Sequence, residues 1–106
     1  MALFSASMLQ FIGFDANNAI SAAVTGANPS YTATEDCWVK VEITTTAYGS
    51  SAYAAIDGLP VVGISSPQQG ATQYATYLLP VKKGQQITTR NLTGMSYSLT
   101  PYRLKL

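Results

Sequence analysis

Residues 30–43, SYTATEDCWVKVEI, bring together the only cysteine and the only tryptophan of the chain with two adjacent carboxylates, Glu35 and Asp36. A reactive thiol needs a neighbouring cation or a helix N-terminus to stabilise its thiolate. Cys37 has acidic neighbours in sequence, which favours a small buried hydrophobe over a nucleophile. Glycoside hydrolysis needs two carboxyl groups facing each other across the scissile bond, and neighbouring side chains tend to diverge. Asp57 could still pair with one of them through the fold. The chain has no histidine, which removes Ser-His-Asp and Cys-His nucleophile pairs, the usual zinc-ligand sets and the commonest neutral-pH proton shuttle. A lone cysteine can complete neither a thiolate metal cluster nor an intramolecular disulfide. The expectation is a protein that is not an enzyme, with no catalytic residue, no metal and no cofactor.

The elements that must position these residues are short strands. From Cys37 onward CWVKVEITTT alternates, with Cys37, Val39, Val41 and Ile43 on one face and Trp38, Lys40, Glu42 and Thr44 on the other. Upstream, SYTA is a brief strand between turns. Downstream, AYAAI and LPVVGI flank Asp57-Gly58, a strong hairpin signal. QYATYLLPV, QQITTR and MSYSLTPYRLKL follow, separated by the turns KKG and NLTG. Near the N-terminus SASMLQFIGF and NAISAAV could each be a strand, and the second could equally be one or two helical turns. No 3.6-residue apolar period persists, so the expected fold is all-β, an antiparallel sandwich or jelly roll of about eight strands.

A chain of 106 residues suits one domain with one core. It divides into an apolar arm with the first strands, residues 1–29, and a body, residues 30–106. Only 10% of residues are charged, against about 25% in an average soluble domain. Such a surface suits burial in an oligomer, where few charges need desolvating. A net charge of +1 offers no footprint for nucleic acid or anionic lipid. The apolar start MALFSASMLQFIGF lacks the basic region of a signal peptide and is too short and polar for a membrane span. No membrane insertion is expected. Asn91-Leu92-Thr93 fits a glycosylation triplet but falls in an expected turn, and Lys82-Lys83 reads as a solvated loop tip.

YTATEDCWVKVEI, AYAAIDGLPV, TYLLPVKKGQQITTRN and YSLTPYRLK, in that order, resemble the plan of small jelly-roll domains of bacteriophage virion and tail proteins. They are more distantly similar to the trimeric jelly rolls of the complement and tumour-necrosis-factor type. The match runs over roughly residues 30–105 and rests on Tyr31, Thr32, Ala33, Asp36, Ile56, Asp57, Gly58, Leu79, Pro80, Val81, Lys83, Gly84 and Ile87. Cys37 stands where that plan usually has glycine, so Cys37→Gly is expected to be tolerated. The resemblance implies a homotrimer displayed on a virion that is assembled in the host cytoplasm.

Two functions follow as expectations. The first is a capsid decoration or stabilising protein that contacts its own copies and other virion proteins of the capsid or tail through Leu3, Phe4, Phe11, Phe14, Trp38 and Tyr77. Here residues 1–14 would dock on the particle, and their removal should leave a folded trimer that no longer binds it. The second is a tail-fibre or tail-tip module that recognises a host surface glycan through loops bearing Tyr48, Tyr53, Gln68, Gln69 and Tyr74, by ring stacking and polar hydrogen bonds. Ordinary solvated hairpin tips are the simpler reading of those loops.

Overall fold

The computed structural model describes residues 14–104, with only the backbone of Phe14 and Asp15. It is all-β among the described residues. The strands are β1 (Phe14–Ala19), β2 (Val24–Gly26), β3 (Tyr31–Thr32), β4 (Cys37–Thr45), β5 (Ala52–Ile56), β6 (Leu59–Ile64), β7 (Gln73–Val81), β8 (Gln86–Thr89) and β9 (Met95–Leu104). One sheet runs β1-β9-β4-β7, with β2 also on β9, and the other runs β3-β8-β5-β6. Every strand pairing is antiparallel.

β4 is the spine of the first sheet. Its alternation places Cys37, Val39, Val41, Ile43 and Thr45 inward, all buried, while the residues between them face out. It pairs without interruption from Cys37↔Val81 to Thr45↔Gln73 on one side and from Cys37↔Arg103 to Thr45↔Met95 on the other. Val81, Leu79, Leu99 and Tyr97 therefore join the inward row. Ala52, Ala54 and Ile87 of the second sheet and Ala33 close the core. Each fully buried Val, Ile or Leu contributes roughly 1.5–3 kcal/mol.

SASMLQFIGF lies outside the described residues except for Phe14, which opens β1 on FDANNA. NAISAAV is not one element: its first two residues close β1, residues 20–23 form no regular structure and Val24 opens β2. β1 is polar by composition and is held by backbone pairing to Leu104 and Tyr102 of β9. Strand propensity yields to such a tertiary template. Pro101 is fully buried inside β9, a position that usually excludes proline because a ladder donor is lost. It falls between the segments of β9 paired to β2, ending at Leu99, and to β1, resuming at Tyr102. Its carbonyl accepts from the Ile20 N–H at 2.9 Å.

Several of the turn and strand-end residues quoted above meet through backbone and side-chain hydrogen bonds. Gly84 N–H donates to Ala33 O (2.8 Å), Ala33 N–H to Gln85 O (2.9 Å), and Lys83 N–H to Asp36 Oδ1 (2.9 Å). Asp57 and Gly58 turn with φ of 50° and 84°, as a two-residue hairpin of the primed type requires. Asp57 Oδ1 accepts from Gln86 N–H at 2.9 Å. These residues build turns and tie strand ends together.

Candidate interaction surfaces

The residues that could do chemistry are kept apart. Glu35 lies 3.4 Å from Arg103, and Glu42 lies 3.5 Å from Lys40. Asp36 and Asp57 accept from backbone N–H groups. No cluster of three His, Cys, Asp or Glu suited to a metal occurs among the described residues. The Cys37 thiol is pushed up to about 12, first by burial and then by Glu35 and Asp36. It is a core atom at the start of a strand. Its φ is not positive, so nothing in the backbone asks for glycine there.

The outward face of the first sheet is different in character. The register sets Pro80, Trp38 and Tyr102 side by side as one rung, and Leu78, Lys40 and Thr100 as the next. Thr76, Glu42 and Ser98 follow, then Tyr74, Thr44 and Ser96. Leu78 is 42% exposed and Tyr74 74%. The only charges on these rungs, Lys40 and Glu42, pair with each other. The Lys40 ammonium also lies 5.8 Å from the centre of the Tyr102 ring. It holds its proton to higher pH than an ordinary lysine, first through the Tyr102 side chain and then through Glu42. Trp38 and Tyr102 make further contacts besides these.

Trp38, expected as a contact residue, sits half-buried in the first rung. Tyr77 is placed otherwise: it packs against the core and its hydroxyl donates to Gly63 O at 3.1 Å, linking the edge strands β7 and β6 of the two sheets. Leu3, Phe4 and Phe11 lie outside the described residues, and Phe14 contributes its backbone to β1. Leu78 and Tyr102 were not singled out by sequence. The signal was available, because in YLLPV the alternation that turns Leu79 inward turns Leu78 out.

Tyr48, Gln68 and Gln69, all exposed, are brought close by an isolated bridge between Tyr48 and Ser66. Ser66 N–H donates to Ala47 O at 2.7 Å, and the Ser66 hydroxyl to Gln68 O at 2.6 Å. Tyr74 opens β7 on the outward face of the first sheet, paired with Thr44. Tyr53 lies in β5 of the second sheet, away from any loop tip, and Arg90 packs over its ring at 5.6 Å. The five expected sugar-facing residues are thus distributed over two sheets and a loop pair. No protein family, curated protein or solved structure matches the chain.

Proposed function

We propose that the chain is a non-enzymatic virion structural protein, a small jelly roll that assembles as a homotrimer and decorates or stabilises a phage particle. The strand orders support the jelly-roll reading. From β2 to β9 the chain visits the first sheet, the second, the first, the second twice, the first, the second and the first, giving β2-β9-β4-β7 against β3-β8-β5-β6. Two interleaved Greek keys would give this order, which supports the reading.

The observation that carries the assembly reading is the outward face of β7, β4 and β9. It spans three long strands paired without a bulge, carries Trp38, Tyr74, Leu78, Pro80 and Tyr102, and its one charge pair is internally neutralised. Interface cores are enriched in aromatic residues and depleted of unpaired charge. Repeated copies on a particle lattice gain stability through avidity without a tight single site. The test is the solution mass of the protein by light scattering. A trimer that Leu78→Glu converts to a folded monomer supports the reading; a wild-type chain that stays monomeric at every concentration overturns it.

The second reading, a tail module binding host glycan, is favoured by the joining of the Tyr48 loop to the Gln68-Gln69 loop through Ser66. Copy number on the particle separates the two. Many copies over the shell mean decoration, and a few at one vertex mean attachment.

A further inference from the structure

On the outer side of the second sheet, Ser51, Tyr53, Pro60, Val61, Val62 and Gly63 line an open depression of about 340 Å³. That is near the lower end of the roughly 300–1,000 Å³ of small-ligand sites. One of these residues, Gly63, has no room for a side chain against β5. A Cβ there would come within 2.7 Å of Ala52 O and 3.0 Å of the Tyr53 Cβ. Pro60 and Val61 are exposed on the edge strand β6, so the rim is apolar.

Arg90 adjoins this lining through two of its residues. Its guanidinium packs over the Tyr53 ring at 5.6 Å, and its Nη1 donates to Ser51 O at 3.1 Å. Both residues line the depression. One donor of a five-donor fork is thereby used, and the fork matches a carboxylate. The ion pairs among the described residues join Lys40 to Glu42 and Arg103 to Glu35, so no carboxylate among them pairs with Arg90. Between Ile43 and Val81 the sequence holds a single charge, Asp57, and its carboxylate is engaged by Gln86 N–H.

The edge strand could in principle recruit an extended peptide by adding a strand. Three features oppose that. Pro60 has no N–H to offer, the β5–β6 register shifts after Ala54, and the Gly63 carbonyl already accepts from Tyr77. A compact ligand with one ring face and one carboxylate suits the site better.

The geometry points to a subsite for a single acidic sugar residue, a hexuronate or sialate. Its apolar face lies along Tyr53, Pro60 and Val61, and its carboxylate pairs with Arg90. This narrows the glycan reading to one ligand class. It is independent of the assembly reading, whose face lies on the other sheet.

The experiment titrates the full chain with galacturonate, N-acetylneuraminate, galactose and acetate while amide NMR signals are followed. Expected are shifts at Ser51, Tyr53, Gly63 and Arg90 with at least one acidic sugar, and weaker binding as salt rises. Arg90→Gln should reduce that affinity at least about tenfold, as loss of a charge-assisted pair implies. Should Arg90→Gln fail to fold, Val61→Asp, which sets a carboxylate on the same rim, should abolish the shifts. Galactose binding as tightly as galacturonate removes the carboxylate from the proposal and overturns it. Acetate binding equally tightly leaves only an anion site and overturns it too. Absence of shifts with both acidic sugars, or shifts unmoved by the variants, has the same result, as does binding of an extended carboxylate-ended peptide where the sugars fail. A lost trimer with sugar binding intact would count against assembly alone.

Discussion

Cys37 shows how one side chain changes meaning between sequence and fold. The resemblance drawn from the sequence would put a glycine at this position, which suggests that the substitution is harmless. In the fold it is fully buried in the core row of β4 with ordinary backbone geometry. Cys37→Gly should therefore cost about 2–3 kcal/mol, combining a lost buried side chain with the entropy of glycine in a strand, as read from a denaturant midpoint. The thiol also sets a pH dependence. Its folded pKa of about 12 lies above the ordinary 9.0, so folding favours the protonated form. The associated stability is intact below pH 9.0 and is lost as pH rises toward about 12. The loss is at most about 1.4 kcal/mol per pH unit. Burial raises the Tyr97 pKa as well, so the comparison must be between the native chain and Cys37→Ala. The variant, though less stable at neutral pH, should show the shallower alkaline decline, and parallel curves would contradict a buried thiol.

At the scale of elements, the β5–β6 hairpin depends on Asp57. Its φ of 50° suits Asn or Asp better than other residues, and its carboxylate holds the first N–H of β8. Asp57→Ala should lose about 1–3 kcal/mol, whereas Asp57→Asn, which keeps an acceptor and the turn preference, should stay within about 0.5 kcal/mol. Equal losses in thermal unfolding would show that the side chain acceptor is unimportant. This turn was legible in the sequence because Asp-Gly between apolar runs has one common solution. β4 was legible too, since period-two alternation survives folding unchanged. β1 was not, because FDANNA acquires strand geometry only from its partner β9. The Arg90–Tyr53 contact was equally hidden: it joins the residue after β8 to the second residue of β5, and no local pattern announces a pairing across a sheet. Trp38 was legible as outward-facing, but its rung with Pro80 and Tyr102 needs the register of three strands.

For the whole molecule, the neutral outward face of the first sheet should govern association. Glu at position 78 would set an unpaired charge in a desolvated contact, at a cost of several kcal/mol, on the order of 3–5. That is enough to turn a trimer into monomers while Leu79, the inward neighbour, keeps the core. A trimer unmoved by Leu78→Glu would place the contact on another face. The position of β9 has a consequence in time. β9 lies inside its sheet, between β4 and the pair β1 and β2, and Val24 finds its partner at Leu99. During synthesis β4 and β2 are exposed long before residues 95–104 exist to join them. Pairings so distant in sequence make folding slow, and until then β4 offers an open, apolar edge to any neighbouring chain. Refolding should therefore be slow, with a yield that falls as protein concentration rises, and a chain ending at residue 94 should aggregate. Where two such chains are made close together, β9 decides whether they meet as finished folds or as tangled ones.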